Sequence, residues 1–188
     1  MKSIKSFAVL STFCLMSFVL SSCASYMTPS NQQGRQVVAN NTPPPNYSER
    51  LPGSIDTKGQ KTVLVDPNVH AWGAYDSNGS LVRAGLATAG ANYCPDLGRP
   101  CHTKPGTYHV NSLGSPNCKS TMFPMPRGGA PMPYCMFFDR NQAMHGSPEG
   151  EVVEGNISHG CVRMHVTDAE WLRYNFVNVG TKVIVKPY

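Results

Sequence analysis

Seven cysteines in a chain of 188 residues constrain its fold more than any other feature, because their pairing decides which loops can be long. That pairing depends on the compartment, and the N-terminus indicates which one. Lys2 and Lys5 precede an apolar run from Phe7 to Leu20, followed by Ser21, Ser22 and Cys23, which is the layout of a secretory signal peptide over residues 1–22. About 14 residues of helix rise only about 21 Å, short of the roughly 30 Å hydrocarbon core, so the run is not read as a membrane span. Cys14 leaves with this segment. Beyond Cys23, the thiols Cys94, Cys101, Cys118, Cys135 and Cys161 face an oxidising compartment, where four pair and one is left over. Cys94 with Cys101 and Cys118 with Cys135 are the favoured pairs among the three connectivities, because both close short loops poor in core residues. Each bond is worth about 2 to 3 kcal/mol.

Leu20-Ser21-Ser22-Cys23 resembles the lipobox of bacterial lipoproteins. The resemblance implies a diacylglyceryl group on the Cys23 thiol and stable membrane anchoring through two or three acyl chains. In a double-membraned bacterium, Ala24 in place of Asp implies the outer membrane. The expected location is therefore exported, periplasm-facing and lipid-anchored. Residues 23–59 are rich in Asn, Gln, Ser and Pro, with Pro43-Pro44-Pro45 at their centre, and are read as a flexible tether. Residues 60–188 then form one domain. Loss of Lys2 and Lys5 lowers the net charge from +5 to +3 without leaving a basic run, which gives no support for nucleic-acid binding. A mildly cationic surface does suit an anionic cell-wall polymer.

Short segments rich in Val, Leu and aromatic residues alternate with turn signals from Lys61 onward, the pattern of a mainly β domain. Strands are predicted over Thr62–Val65, His70–Tyr75, Leu81–Thr88, Gly106–Val110, Tyr134–Phe138, Gln142–His145 and Lys182–Lys186. Asp76-Ser77-Asn78-Gly79 is the hairpin turn between the second and third, with Asn-Gly supplying positive φ angles. Thr167-Asp168-Ala169-Glu170 has the form of a capping box, and Ala169, Leu172 and Phe176 then recur at helical spacing. The expected architecture is a β-sandwich or barrel-like domain with one helix near the C-terminus. The stretch from Asn111 to Pro133 is rich in Gly, Ser, Pro and Met and reads as a long loop, either a substrate wall or a stapled insertion.

Cys161 is the thiol whose freedom requires a reason. It sits in Ser158-His159-Gly160-Cys161-Val162-Arg163, with a neighbouring positive charge at Arg163 and with His145-Gly146 upstream at the end of a predicted strand. A thiol becomes a useful nucleophile at neutral pH only with an imidazole or cation beside it. His145 on an adjacent strand meets that need as base, and then as acid towards a departing amine. The Gly160-Cys161 backbone is the natural source of N–H groups for the oxyanion of a tetrahedral intermediate. A metal site built from His159, Cys161 and His165 is disfavoured, since no fourth ligand stands at a zinc-like spacing.

These residues resemble the signature of the L,D-transpeptidase (YkuD-type) family. The resemblance runs from about Lys61 to Tyr188 and includes the Pro105-Gly106 turn and the strand entry at Gly180-Thr181-Lys182-Val183. It implies Cys161 as nucleophile, His145 as proton donor and acceptor, the Gly146 carbonyl orienting His145, and His159 shaping the pocket and supporting the thiolate. Ser158, Gly160, Cys161 and Arg163 would form the oxyanion hole and substrate contacts, with no cofactor and no metal. The implied substrates are peptidoglycan stem peptides. Cys161 forms a thioester on the third residue with loss of D-Ala, and the acceptor is the amine of a second stem or of an outer-membrane lipoprotein. Water as acceptor would make the same site an L,D-carboxypeptidase or a cross-link hydrolase. A peptidoglycan-binding surface lipoprotein without turnover is the remaining alternative.

Overall fold

A computed structural model describes residues 45–188, in which nine strands form two sheets. The expected signal peptide, Cys23 and the expected tether as far as residue 44 lie outside the described residues. β1 (Thr62–Asp66) is buried at every position, so both of its faces are covered. Val63 and Val65 point into the main core, whereas Leu64 points to the opposite side and packs with Leu51, Ala71 and Tyr75. β1 runs antiparallel to β2 (Ala71–Tyr75), which pairs with β3 (Leu81–Leu86). On its other edge it runs parallel to β9 (Lys182–Val185), which pairs with β4 (Gly106–His109). The second sheet has the order β5 (Ser112–Leu113), β6 (Met136–Asp139), β7 (Gln142–Ser147) and β8 (Val162–His165), with β7 and β8 parallel. Val63, Trp72 and Val183 from the first sheet meet Met136, Met144 and Met164 from the second, so the core lies between the sheets. The architecture agrees with the expected mainly β fold.

Three expectations require correction. The tether was read to end at Gly59, but Tyr47–Arg50 forms a 3₁₀ turn, Leu51 is buried, and the Tyr75 hydroxyl donates to the Pro52 carbonyl at 2.8 Å. Tyr47, Leu51 and Ile55 are too sparse to make a core of their own, yet they suffice to cover the outer face of β1 and β2. The Asp76–Gly79 hairpin forms, but only Gly79 takes a positive φ, at +88°, and the Asp76 carboxylate holds the turn by accepting from the Asn78 and Ser80 N–H groups at 2.9 Å. The capping box does not form. β8 runs directly into α1 (Val166–Trp171), whose N-cap is His165 without a side-chain bond, so Thr167 lies inside the first turn. Its acidic residues are used elsewhere: Asp168 pairs with Arg83 at 2.7 Å, and Glu170 accepts from the Tyr134 hydroxyl at 2.9 Å. The expected apolar stripe is present, with Ala169, Leu172 and Phe176 buried, and it continues through a π-helical turn over Leu172–Phe176. No helix among the described residues is long and apolar enough to cross a membrane.

Because Leu51 fills the outer face of β1, Leu51→Ala lowers the free energy of unfolding by about 2 to 4 kcal/mol in urea denaturation. A loss below about 0.5 kcal/mol, the range of surface substitutions, would show that residues 45–59 lie outside the cooperative unit.

Candidate active site

Parallel strands cannot be joined by a tight turn, so the chain leaving β7 at Ser147 must cross back before entering β8. The return segment contains a 3₁₀ turn at Glu149–Glu151 and ends in Ser158-His159-Gly160-Cys161. The register of the pair sets His145 beside Arg163 and Met144 beside Val162, so Cys161 arrives one step before the ladder, packed near Ala143. His145, Cys161 and Arg163 all line one cavity of about 520 Å³.

The turn that delivers Cys161 is held from within. Ser158 is buried, and its hydroxyl donates to the Cys161 carbonyl and accepts from the Gly160 N–H at 3.1 Å. Backbone bonds from Ser158 N–H to the Ala89 carbonyl (3.0 Å) and from Ala91 N–H to the Ser158 carbonyl (2.8 Å) tie the turn to the neighbouring loop. Thr103, fully buried, donates its hydroxyl to the Gly160 carbonyl at 2.9 Å and accepts there from the Gly90 N–H. Gly160 takes φ +117°, which side chains rarely adopt, and a Cβ there would stand 2.9 Å from Gln142 Nε2. One expectation changes as a result. The Gly160 N–H, anticipated as an oxyanion donor, is occupied by Ser158 Oγ at 3.1 Å, which leaves the Cys161 N–H as the remaining member of that pair.

Electrostatics set the state of the pair. His145 Nδ1 lies 2.8 Å from the Gly146 carbonyl, which can only accept, so Nδ1 carries the proton and Nε2 presents a lone pair. Ser147 Oγ stands further off, at 3.4 Å. Gly146 has no room for a side chain, since a Cβ would meet Val166 Cα at 2.9 Å. Burial, assisted by the Arg163 cation, lowers the His145 pKa to about 4, against the opposing pull of the Gly146 carbonyl. Burial likewise pushes the Cys161 thiol up, only partly offset by the Ala143 backbone and by Arg163. Its Sγ lies 3.7 Å from the Asn141 carbonyl. At neutral pH the cavity therefore holds a thiol at Cys161 and a neutral imidazole at His145.

The other expected residues lie around this centre. Both favoured disulfides are formed, Cys94–Cys101 with Cα atoms 6.0 Å apart and Cys118–Cys135 at 6.2 Å, and Cys161 is the free cysteine among the described residues. His159 bonds Asp96 through Nε2 at 2.9 Å and packs on Phe123, with ring centroids 4.4 Å apart. It is thus held between one loop closed by each disulfide. Arg163 faces Glu151 at 3.6 Å. His165 pairs instead with Glu149 at 3.1 Å, so His159, Cys161 and His165 do not gather as metal ligands. Cys94, Asp96 and His159 do converge, but the Cys94 sulfur is spent in its disulfide. Lys119, Met122, Phe123 and Met132 line the Cys161 cavity, so the Asn111–Pro133 loop is a wall of the site. A second cavity of about 600 Å³ opens beyond His159 and Phe123. Sequence reasoning missed Thr103, Asp96, Asn141 and Gln142. Asp96 alone offered a signal, as an acid inside a disulfide-closed turn.

The family model of the YkuD-type L,D-transpeptidase catalytic domain matches residues 60–185. The chain belongs to this family. Among solved members, the fold resembles an L,D-transpeptidase (residues 123–326) from Xylanimonas cellulosilytica at TM-score 0.59 and 22% identity, over 73% of this chain and 66% of that one. It also resembles an L,D-transpeptidase from Mycobacterium tuberculosis at TM-score 0.55 and 22% identity, over 68% and 58% of the two chains. One from Stackebrandtia nassauensis gives TM-score 0.56 at 20% identity, over 71% and 58%. The chain thus spans less than two thirds of the length of these relatives. No curated protein matches it.

The buried imidazole makes the domain acid-sensitive. Below the ordinary histidine pKa of 6.5, the unfolded chain binds a proton that folded His145 refuses until about pH 4. The contribution is complete above pH 6.5 and falls as pH drops towards about 4, by on the order of 3 kcal/mol. Urea unfolding at stepped pH measures the loss, and His145→Gln removes this share of it. An unchanged pH slope in the variant would assign the sensitivity to other groups.

Proposed function

We propose that the protein is a peptidoglycan L,D-transpeptidase, exported and anchored at the outer membrane through Cys23. The observation that carries the reading is His145: its Nδ1 proton is committed to the Gly146 carbonyl, which leaves Nε2 free as base in the cavity that holds the free thiol of Cys161. In the first half-reaction, Cys161 Sγ attacks the carbonyl between the third, diamino residue of a stem tetrapeptide and its terminal D-Ala. The thiol proton moves to His145 Nε2 as the C–S bond forms, and the imidazolium returns it to the nitrogen of D-Ala as the C–N bond breaks. In the second, an amine of another stem or of a lipoprotein attacks the thioester, gives its proton to Nε2, and the thiol is restored. Acyl energy is conserved in the thioester, so no nucleotide is consumed.

A neutral resting pair suits this sequence. A permanent ion pair in a buried site would require desolvating two charges, whereas here charge develops only as the thiol proton leaves. Arg163 raises the cost of a standing imidazolium while favouring the sulfur anion, so it couples proton transfer to attack. His159 is set to shape the wall of the pocket, because its Nε2 is engaged by Asp96 and its ring packs on Phe123.

Incubation of the folded protein with tetrapeptide muropeptides, followed by mass, tests the reading. Cross-linked dimers with release of D-Ala are expected. Tripeptides alone would replace the transferase by a carboxypeptidase, and unchanged substrate would remove the enzymatic reading. Cys161→Ala lowers turnover by at least about a thousandfold and His145→Asn by about a hundredfold or more. One solved L,D-transpeptidase of similar fold is in complex with imipenem. Imipenem is accordingly expected to add covalently to this protein and not to Cys161→Ala, and labelling of the variant would point to another nucleophile.

A further inference from the structure

Five cations and two acids line the cavity at Cys161, in a chain whose net charge is only +5. Lys104 pairs with Asp139 at 3.5 Å and Arg163 with Glu151 at 3.6 Å. That leaves Arg99, Lys119 and Arg140 in the cavity wall with no carboxylate partner among the described residues. The three come from separate elements, each fixed at its backbone. Arg99 closes the Cys94–Cys101 loop, its carbonyl accepting from the Cys94 N–H at 3.0 Å. Lys119 follows Cys118 and bridges to Pro131 across the loop of the other disulfide. Arg140 stands in the turn between β6 and β7, next to Asn141, whose carbonyl faces the Cys161 thiol.

Arg140 is also strained. Its φ is +36°, in the left-handed region where glycine is favoured and a long side chain is uncommon. Backbone strain of this kind clusters at active sites and ligand clamps. Like charges gathered around one concave wall repel one another unless an anion enters, and such a wall focuses the field on whatever occupies it.

Building on the transpeptidase reading, we propose that Arg99, Lys119 and Arg140 form a carboxylate-binding rim, so that the protein takes stem peptides whose carboxylates are free and discriminates against amidated ones. The three cations hold the anionic peptide over Cys161 while taking no part in the bond changes. Each contact is solvent-exposed and modest alone, so recognition rests on their sum and weakens with salt.

The test compares a diaminopimelate-containing stem tetrapeptide with free carboxylates against the same peptide with its Glu and diaminopimelate carboxylates amidated. Consumption by the full-length protein is followed by mass. The expected KM for the amidated peptide is about tenfold higher at about 0.05 M salt, and the gap narrows at about 0.5 M. Arg140→Gly relieves the left-handed strain, so it folds, and it narrows the ratio to about threefold or less. Lys119→Gln acts in the same direction. Equal KM values for the two peptides, a preference for the amidated one, or a ratio unchanged by Arg140→Gly would overturn the rim and leave the transpeptidase reading standing. If neither peptide is consumed, the transpeptidase reading fails and the rim falls with it.

Discussion

The parallel pairing of β7 with β8 is the constraint on which the site depends. An antiparallel partner could have followed His145 after a two-residue turn; a parallel one forces the chain to leave the sheet and return. The return delivers Cys161 beside the strand that carries His145, and the ladder fixes their relative height through the His145–Arg163 and Met144–Val162 register. Two residues widely separated in function from any local contact are thereby set by backbone hydrogen bonds rather than by side-chain packing. The Ser158 hydroxyl and Thr103 then complete the turn, so Cys161 enters the strand from a segment with little freedom.

Burial couples this geometry to chemistry. The same low-dielectric surroundings that hold the strands together disfavour imidazolium on His145 and thiolate on Cys161, and Arg163 opposes the first while favouring the second. A site in which both groups rest neutral stores no ion pair, and in the proposed reaction charge would develop only as the thiol proton leaves. The Gly146 carbonyl orients the imidazole as a carboxylate does in the Ser-His-Asp triad, without adding a negative charge that would oppose the lowering of the histidine pKa. The absence of a side chain on Gly146 lets α1 begin directly against β7, so the helix and the orienting carbonyl depend on the same glycine.

Most of this was legible where chemistry and local pattern coincide. Cysteine parity and loop length identified both disulfides, and Ser-His-Gly-Cys with an upstream His-Gly marked the residues that the sheet later joins. β8 was missed because Val162–His165 is only four residues long and passes into α1 without a turn residue to announce either end. The same continuity defeated the capping box, since Thr167 is preceded by strand backbone and helix begins before it. Tyr47, Leu51 and Ile55 look like tether because composition averages over them; they matter through a sheet face whose exposure cannot be read locally. Thr103 and Gln142 carry no motif, and their roles arise from loops brought together by tertiary pairing.

The candidate centre and its surroundings are held by different means. His145, Cys161 and Arg163 are placed by sheet register, which tolerates wide sequence change provided the strands pair, and the fold is shared with solved members at 22% identity. The walls come from loops with little core of their own, and the two disulfides supply the order that burial cannot. Asp96, Phe123 and Lys119 all sit on those closed loops, and His159 links them by bonding one and stacking on the other. The walls also touch the centre directly, since Cys161 packs against the cluster of Met132, Cys135 and Ala143. The proposed acyl transfer accordingly draws on the parallel strands, and the proposed selectivity on the stapled loops above them.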